Sequence, residues 1–231
     1  AITGRKLWIT NANEANLFIV FATVDPDAGY RGITAFLVER DTPGFSIGKK
    51  EDKLGIRASS TCELLFEGCE VSRDQVLGEV GKGYKTAIET LNEGRIGIGA
   101  QMVGLAAGAL AHAIHYTKER KQFGKPITEY QAISHKIADM RSMAEISRVM
   151  TYRLASLMDR GVAPNTAAAV TKIYATESNS KCADTGIQIM GGAGLMMSSE
   201  MQMYFRDSRV GTIGGGTSEI LRNVIAKSML S

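Results

Sequence analysis

Apolar residues change their spacing once along this chain, near residue 80. Before that point they form short runs rich in β-branched and aromatic side chains. Leu17-Phe18-Ile19-Val20-Phe21-Ala22-Thr23-Val24 is closed by Asp25-Pro26-Asp27-Ala28-Gly29, and Ile33-Thr34-Ala35-Phe36-Leu37-Val38 by Asp41-Thr42-Pro43-Gly44. Thr61-Cys62-Glu63-Leu64-Leu65-Phe66 is a further run, and another strand pattern begins within a few residues of Ala1. Such runs suit a pleated, half-buried surface, and clusters of Asp, Pro and Gly turn the chain between them. Short strands at this spacing predict a small β-sandwich or barrel over residues 1–80.

After Gly81-Lys82-Gly83 the period becomes helical. Ile88, Leu91, Ile96, Ile98, Met102, Leu105, Leu110 and Ile114 predict a helix from Tyr84 to about Arg120, ended by Gly124-Lys125-Pro126. Glycines and alanines crowd the same stretch and read as sites of close helix–helix approach, at about 1 kcal/mol of helix propensity per glycine. A second helix is predicted from about Glu129 to Asp159, a third from Asn165 to about Met190, and a last from about Thr217 to Leu230. Short Gly/Pro turns between them make an antiparallel four-helix bundle over residues 81–231, and an α+β chain as a whole.

Composition changes this picture little. With 27 basic and 24 acidic residues the net charge is +3, so charge gives no reason to expect a nucleic-acid or membrane-surface partner. Cys62, Cys69 and Cys182 are odd in number and lack metal-ligand spacing, as reduced thiols would. No run of about 18 apolar residues stands out, so no membrane span is expected. The chain opens without Met and without a signal-peptide core, directly on a strand pattern, and reads as starting inside a longer sequence.

Candidate chemistry is sparse. There is no zinc-type Cys/His cluster, no nucleophile elbow and no phosphate-binding lysine loop. His112 and His115 are three apart on one helix face, a spacing that suits a metal pair less well than solvated or packed histidines, and His135 is alone. Gly191-Gly192-Ala193-Gly194 ends the third helix and Gly214-Gly215-Gly216 precedes the fourth. One glycine is enough for a helix C-cap, so both clusters exceed that need. At the second, Thr217 can cap the helix and free N–H groups face an anion's preferred position. A flexible interhelical turn is the plainer alternative. Trp8-Ile9-Thr10 sets a lone tryptophan beside a hydroxyl, a pair that could flank a planar ring, although a lone Trp is more often core. Arg120-Lys121-Gln122-Phe123-Gly124 gathers cations at a helix C-terminus, where the dipole favours them without any ligand.

In this order and spacing the segments resemble the acyl-CoA dehydrogenase family, especially its short- and short/branched-chain members. The likeness runs through Gly4-Arg5-Lys6-Leu7-Trp8-Ile9-Thr10-Asn11, Leu54-Gly55-Ile56-Arg57 with Ser59-Ser60-Thr61, and Leu91-Asn92-Glu93-Gly94-Arg95-Ile96. It continues through Glu119–Lys125, Gln188-Ile189-Met190-Gly191-Gly192 and Tyr204-Phe205-Arg206-Asp207. The resemblance implies an FAD enzyme that converts an acyl-CoA thioester to its trans-2-enoyl-CoA and passes electrons to an electron-transferring flavoprotein. It implies a homotetramer built as a dimer of dimers, in bacterial cytoplasm or mitochondrial matrix. By the same resemblance Trp8, Ile9 and Thr10 line the isoalloxazine. Arg120 and Phe123, with Gln131 behind them, reach the FAD of a neighbouring subunit. Gln188, Gly191 and Gly192 hold its adenosine-diphosphate part, and Thr217 and Glu219 complete the FAD contact. Asn92, Arg95 and Gly216 match substrate-side positions.

Two departures from the family pattern accompany this. The family's N-terminal helical domain and part of its flavin-binding segment precede the first residue of this chain. Most members carry the general base as Glu immediately before the Gly-Thr of the last loop, where this chain has Gly215. A minority carry it immediately before the arginine of the first bundle helix, where this chain has Gly94. Glu93 adjoins the second position, but one residue turns a helical side chain by about 100°. Glu219, four residues past the first, reads as a cap or cofactor residue. The catalytic base is therefore unassigned. The rival expectations are a catalytically silent FAD-binding subunit of a mixed assembly, or an enoyl-CoA reductase or flavin oxidase relative.

Overall fold

A computed structural model describes residues 1–162 and 164–230. The chain divides into two compact units, one from Ala1 to Thr90 and one from Leu91 onward.

The first unit is a sandwich of two three-stranded antiparallel sheets. One has the order β1 (Ile2–Thr10), β5 (Thr61–Cys69), β4 (Phe45–Lys50); the other has β2 (Leu17–Thr23), β3 (Ile33–Glu39), β6 (Val76–Leu77). The hairpin of β2 and β3 pairs without a slip from Leu17↔Glu39 to Thr23↔Ile33. Along β2, Phe18 and Val20 are buried while Leu17 and Ile19 are exposed, the alternation that a one-sided sheet requires. Phe18, Phe45 and Phe66 stack as a chain of tilted rings, with centroids 4.8 and 5.1 Å apart. Together with Val20, Phe36, Val38 and Leu64 they form the core between the sheets. Cys62 and Cys69 are free and buried in the same core.

The second unit is helical. Its main helices are α1 (Gly83–Glu119, which begins in the first unit), α2 (Gln131–Asp159), α3 (Asn165–Met190) and α6 (Ser218–Leu230). Between α3 and α6 lie two elements that the sequence reading did not anticipate, α4 (Gly192–Leu195) and α5 (Glu200–Ser208). Ser199 caps α5 by accepting a hydrogen bond from the Met201 N–H. A Cβ on Gly186 would meet Met201, and one on Gly211 would meet Thr176, so the chain through α5 runs back along α3. It then reverses, and Arg222 of α6 pairs with Glu177 of α3 at 2.7 Å. α1, α2 and α3 thus alternate in direction, and α6, reached through α5 as the return stroke, runs parallel to α3. Their core gathers Ala106, Ala109, Leu110 and Ala113 of α1 with Met140, Cys182 and Met201.

Close approach explains only some of the α1 glycines. Gly108 faces the Tyr204 ring, where an added Cβ would come within 2.9 Å, and Gly99 faces Thr151; Gly94, Gly97 and Gly104 face open space. Among the described residues α1 is also long and apolar enough to cross a membrane, where the sequence reading expected no such segment. Met102, Ala106, Ala109, Leu110 and Ala113 are buried, and 33% of its most apolar window is buried in all.

Candidate functional site

The glycine-rich segment between α5 and α6 is held from beneath by two buried cations. Arg95, on α1, donates from Nε to the Gly215 carbonyl (3.3 Å) and from Nη1 to Asn92 Oδ1 (2.6 Å). Asn92 in turn donates to Asn165 Oδ1 (2.8 Å) at the first residue of α3. Lys172, on α3, is fully buried and donates from Nζ to the Gly216 carbonyl at 2.7 Å. In a trans peptide the C=O and the next N–H point in opposite directions. Fixing the carbonyls of Gly215 and Gly216 toward the cations therefore turns the N–H groups of Gly216 and Thr217 to the other side of the loop. Only glycine suits this path: φ is +67° at Gly215 and +97° at Gly216.

Charge at this site is set by burial. Desolvation, and then the adjacent Arg95 guanidinium, pull the Lys172 ammonium down from its ordinary 10.5 to about 8, while Glu177 and Glu219 pull the other way. Desolvation likewise lowers Arg95. Glu219 is exposed, and hydrogen bonds from its own N–H and the Thr217 hydroxyl hold it below the usual carboxylate range. That suits an ionised residue in the first turn of α6. Thr217 acts as the anticipated cap, its Oγ1 accepting from the Ile220 N–H at 3.3 Å.

Gly215 and Gly94, the two glycines at the positions of interest for a base, have unlike surroundings. A Cβ on Gly215 would fall 2.4 Å from Ile98 Cδ1, whereas one on Gly94 would have nothing within 4 Å. Glu93 is exposed on α1.

The other predicted residues lie in three groups. At the C-terminus of α3, Gly191 takes φ +58° and ψ −136° and its N–H returns to the Ile187 carbonyl at 2.8 Å. Gly191, Gly192 and Gln188 are exposed, and a Cβ on either glycine would meet nothing within 4 Å. At the C-terminus of α1, Arg120 leads into a two-residue ladder, β7 (Lys121–Gln122) with β8 (Lys125–Pro126). Phe123 stands at its tip with φ +52°, 92% exposed, its ring edge-on to Tyr130 at 6.4 Å. Gln131 is exposed at the start of α2. Tyr116 Oη donates to the Met190 carbonyl at 3.3 Å, so these two groups share one end of the helical unit. The third group is in the first unit. On β1 the register against β5 slips between Lys6 and Ile9, and Trp8 takes φ +58° within the slip. The irregularity leaves Trp8 71% exposed, with Ile9 half-buried and Thr10 exposed. The commoner reading of a lone tryptophan as core does not apply here.

Lys172 was not among the sequence-predicted residues. The histidines form no centre: His112 faces Glu200 at 3.7 Å and His115 faces Glu119 at 3.4 Å, and no cluster of three metal-ligating side chains occurs among the described residues.

A β-sandwich followed by a helical unit, with glycine-rich turns and outward-turned aromatic side chains, defines a class of two-unit chains that comparison with known proteins narrows to one family. Residues 1–69 match the acyl-CoA dehydrogenase middle domain and residues 81–230 the acyl-CoA dehydrogenase C-terminal domain. The chain belongs to the acyl-CoA dehydrogenase family. It is 51% identical over 230 residues to the mitochondrial short/branched chain specific acyl-CoA dehydrogenase of Rattus norvegicus, covering 98% of this chain and 52% of that protein. The structure of butyryl-CoA dehydrogenase from Megasphaera elsdenii superposes with a TM-score of 0.96 at 41% identity, covering 99% of this chain and 60% of that one. The structure of PigA with FAD and proline superposes with a TM-score of 0.95 at 30% identity, covering 98% and 60%. The chain thus spans about half the length of the rat relative it matches.

Proposed function

We propose that this chain carries the middle and C-terminal domains of an FAD-dependent acyl-CoA dehydrogenase acting on a short or branched acyl-CoA thioester. The observation that carries this reading is the loop of Gly215 and Gly216, whose carbonyls are held by Arg95 and Lys172 so that backbone N–H groups face away from the cations. Backbone donors fixed in advance are what a thioester carbonyl needs as charge develops on its oxygen.

The residues present fit a flavin on their own geometry. Gly191 and Gly192 offer open backbone next to exposed Gln188, and Phe123 and Trp8 present exposed ring faces. Gln188, Gly191 and Gly192 would hold the adenosine-diphosphate part, and Arg120, Phe123 and Gln131 the FAD of a neighbouring subunit. Trp8, Ile9 and Thr10 would line the ring system, with Thr217 and Glu219 completing the contact. FAD when bound supplies the acceptor for a hydride from the substrate β-carbon. Gly216 would face the substrate, with Arg95 and Asn92 acting on the substrate side through the loop they hold. The α-proton goes to a base that neither Gly215 nor Gly94 can supply. A homotetramer, a dimer of dimers, with an electron-transferring flavoprotein as electron acceptor completes the proposal. The compartment is bacterial cytoplasm or mitochondrial matrix.

A second reading is favoured by those same glycines. The end of the half-buried Ile98 side chain, its Cδ1, occupies the place of a Cβ at 215, so a side chain there would have to displace it. That suits a catalytically silent, FAD-binding subunit in a mixed assembly. Anaerobic titration of the full-length flavoprotein with butyryl-CoA and 2-methylbutyryl-CoA separates the two. Bleaching of the flavin absorbance supports the dehydrogenase; none with any thioester, alone or with a co-expressed paralogue, overturns it. Rapid reoxidation by air after bleaching would indicate an oxidase instead. Because position 94 is open, Gly94→Glu should enter without a clash and raise the bleaching rate by about 10²-fold or more, the usual worth of a positioned base.

A further inference from the structure

Among the described residues Lys172 is the largest fully buried side chain, and it is a lysine without a counter-ion. Its one hydrogen bond goes to a backbone carbonyl, and no described carboxylate lies within ion-pair distance of it or of Arg95. Burying an ammonium on these terms is costly, and an apolar side chain of similar length would fill the space without that cost. Stability therefore gives no reason for a lysine here. The loop it touches does give one. Gly214-Gly215-Gly216 has no side chains by which neighbouring helices could grip it, and glycine is the residue with most backbone freedom to lose. Its carbonyl oxygens are the available handles, and Lys172 and Arg95 hold two adjacent ones from two different helices.

We propose that Lys172 is a positioning residue: from α3 it clamps the Gly216 carbonyl and thereby aims the Thr217 N–H, as Arg95 does for Gly216, toward the substrate side of the loop. The inference rests on the proposed function for what the loop serves, but not for the clamp itself. The charged groups around Lys172 are Arg95 on α1, Glu177 on its own helix, Glu219 on α6, and Arg222 paired with Glu177. With a pKa near 8, the ammonium is the prevailing form at neutral pH, and a charged donor to a carbonyl is stronger than a neutral amine.

Hydrogen–deuterium exchange of the full-length flavoprotein tests this, with Lys172→Met and Lys172→Arg beside the parent. Lys172→Met should speed exchange of the Ile220 and Leu221 amides, whose hydrogen bonds end on Thr217 of the loop, by about ten- to hundredfold, the loss of one charged hydrogen bond, with α3 amides as protected as before. Lys172→Arg should restore most of that protection. With an active parent, kcat for the acyl-CoA should fall in Lys172→Met more than KM rises. Unchanged loop exchange in a folded Lys172→Met overturns the proposal, as does loosening of α3 and the loop together. Should Lys172→Met not fold, the parent decides. Loop exchange relative to the intrinsic rate should rise as pH passes through 8 toward 10, and a flat ratio overturns the clamp. A parent that bleaches with no thioester sinks the proposed function alone, because exchange still reports on Lys172.

Discussion

The two glycine clusters of the helical unit look alike in sequence and are opposites in structure. Gly191-Gly192 closes α3 with its Cα atoms facing open space. Gly215-Gly216 is enclosed: Ile98 stands where a Cβ at 215 would be, and Arg95 and Lys172 hold the carbonyls. Glycine serves different ends in the two places. At 191–192 it leaves room for something outside the chain to approach the backbone. At 215–216 it lets the chain's own core approach the backbone, and only the far face of the peptide groups remains available. A cluster of glycines thus signals close approach without saying from which side.

The largest effect expected from breaking this contrast is at the enclosed cluster. Gly215→Ala adds a Cβ at φ +67° and sets it against Ile98 Cδ1. Backbone strain and overpacking together should cost roughly 2–4 kcal/mol of unfolding free energy. Denaturant unfolding measures it, and a second substitution, Ile98→Ala, divides it. Against the Ile98→Ala background the cost of Gly215→Ala should shrink to the strain alone, roughly 1–2 kcal/mol. Equal costs in both backgrounds would show that Ile98 yields freely and that the loop is less enclosed than its geometry implies.

Next comes the charge beneath the loop. Lys172 has a folded pKa of about 8 and an unfolded one near 10.5, so between those values the unfolded chain binds more protons than the folded one. Stability must then rise with pH across that window, by up to roughly 3 kcal/mol at about 1.4 kcal/mol per unit. Below pH 8 the fold carries the full cost of the buried ammonium. In Lys172→Met this rise is absent, and the difference between the two unfolding free energies from pH 7 to 10.5 isolates it from other titrating groups. The global fold should thus strengthen over the pH range in which the loop loosens. A general loss of structure would move both in the same direction.

Sequence reading reached the outline of both units for a physical reason: alternation at β2 and helical spacing in α1, α2 and α3 are repeated many times, so the signal accumulates. The middle helices ended within a residue or two of their predicted limits. Short elements carry less signal. α5 lay inside a Met-rich stretch, although Ser199 followed by Glu200 is an N-cap signature that could have found it. Lys172 was hidden for another reason. A lysine in an alanine-rich helix reads as its solvent side, and the partners that make it informative are 44 residues downstream at Gly216 and far upstream at Arg95 on α1. Trp8 was placed at the flavin only by the family resemblance, and its own residues left core open, for a third reason. Its strand pattern predicts alternation, and the register slip that turns the ring outward shows only in the structure, as a positive φ at Trp8.

The smallest stability effects are expected at the open cluster, and there stability and function should separate. Gly191→Ala meets no neighbour, but ψ −136° at φ +58° is a conformation alanine resists, so roughly 1–3 kcal/mol should be lost. Gly192 does not share the positive φ and begins α4 with nothing within 4 Å of a Cβ. Gly192→Ala should therefore change unfolding free energy by less than about 0.5 kcal/mol, within the usual range for open surface positions. If the cluster is the backbone cradle proposed for the adenosine-diphosphate part of FAD, the same methyl group stands between backbone and cofactor. Apoprotein reconstitution followed by flavin fluorescence should then show FAD affinity down by about tenfold or more, or about 1.4 kcal/mol. A variant with unchanged stability and unchanged affinity would leave Gly191-Gly192 as a helix stop alone. A cofactor defect without a folding defect is what a glycine kept for an external ligand predicts, and Gly215, enclosed by its own core, cannot show it.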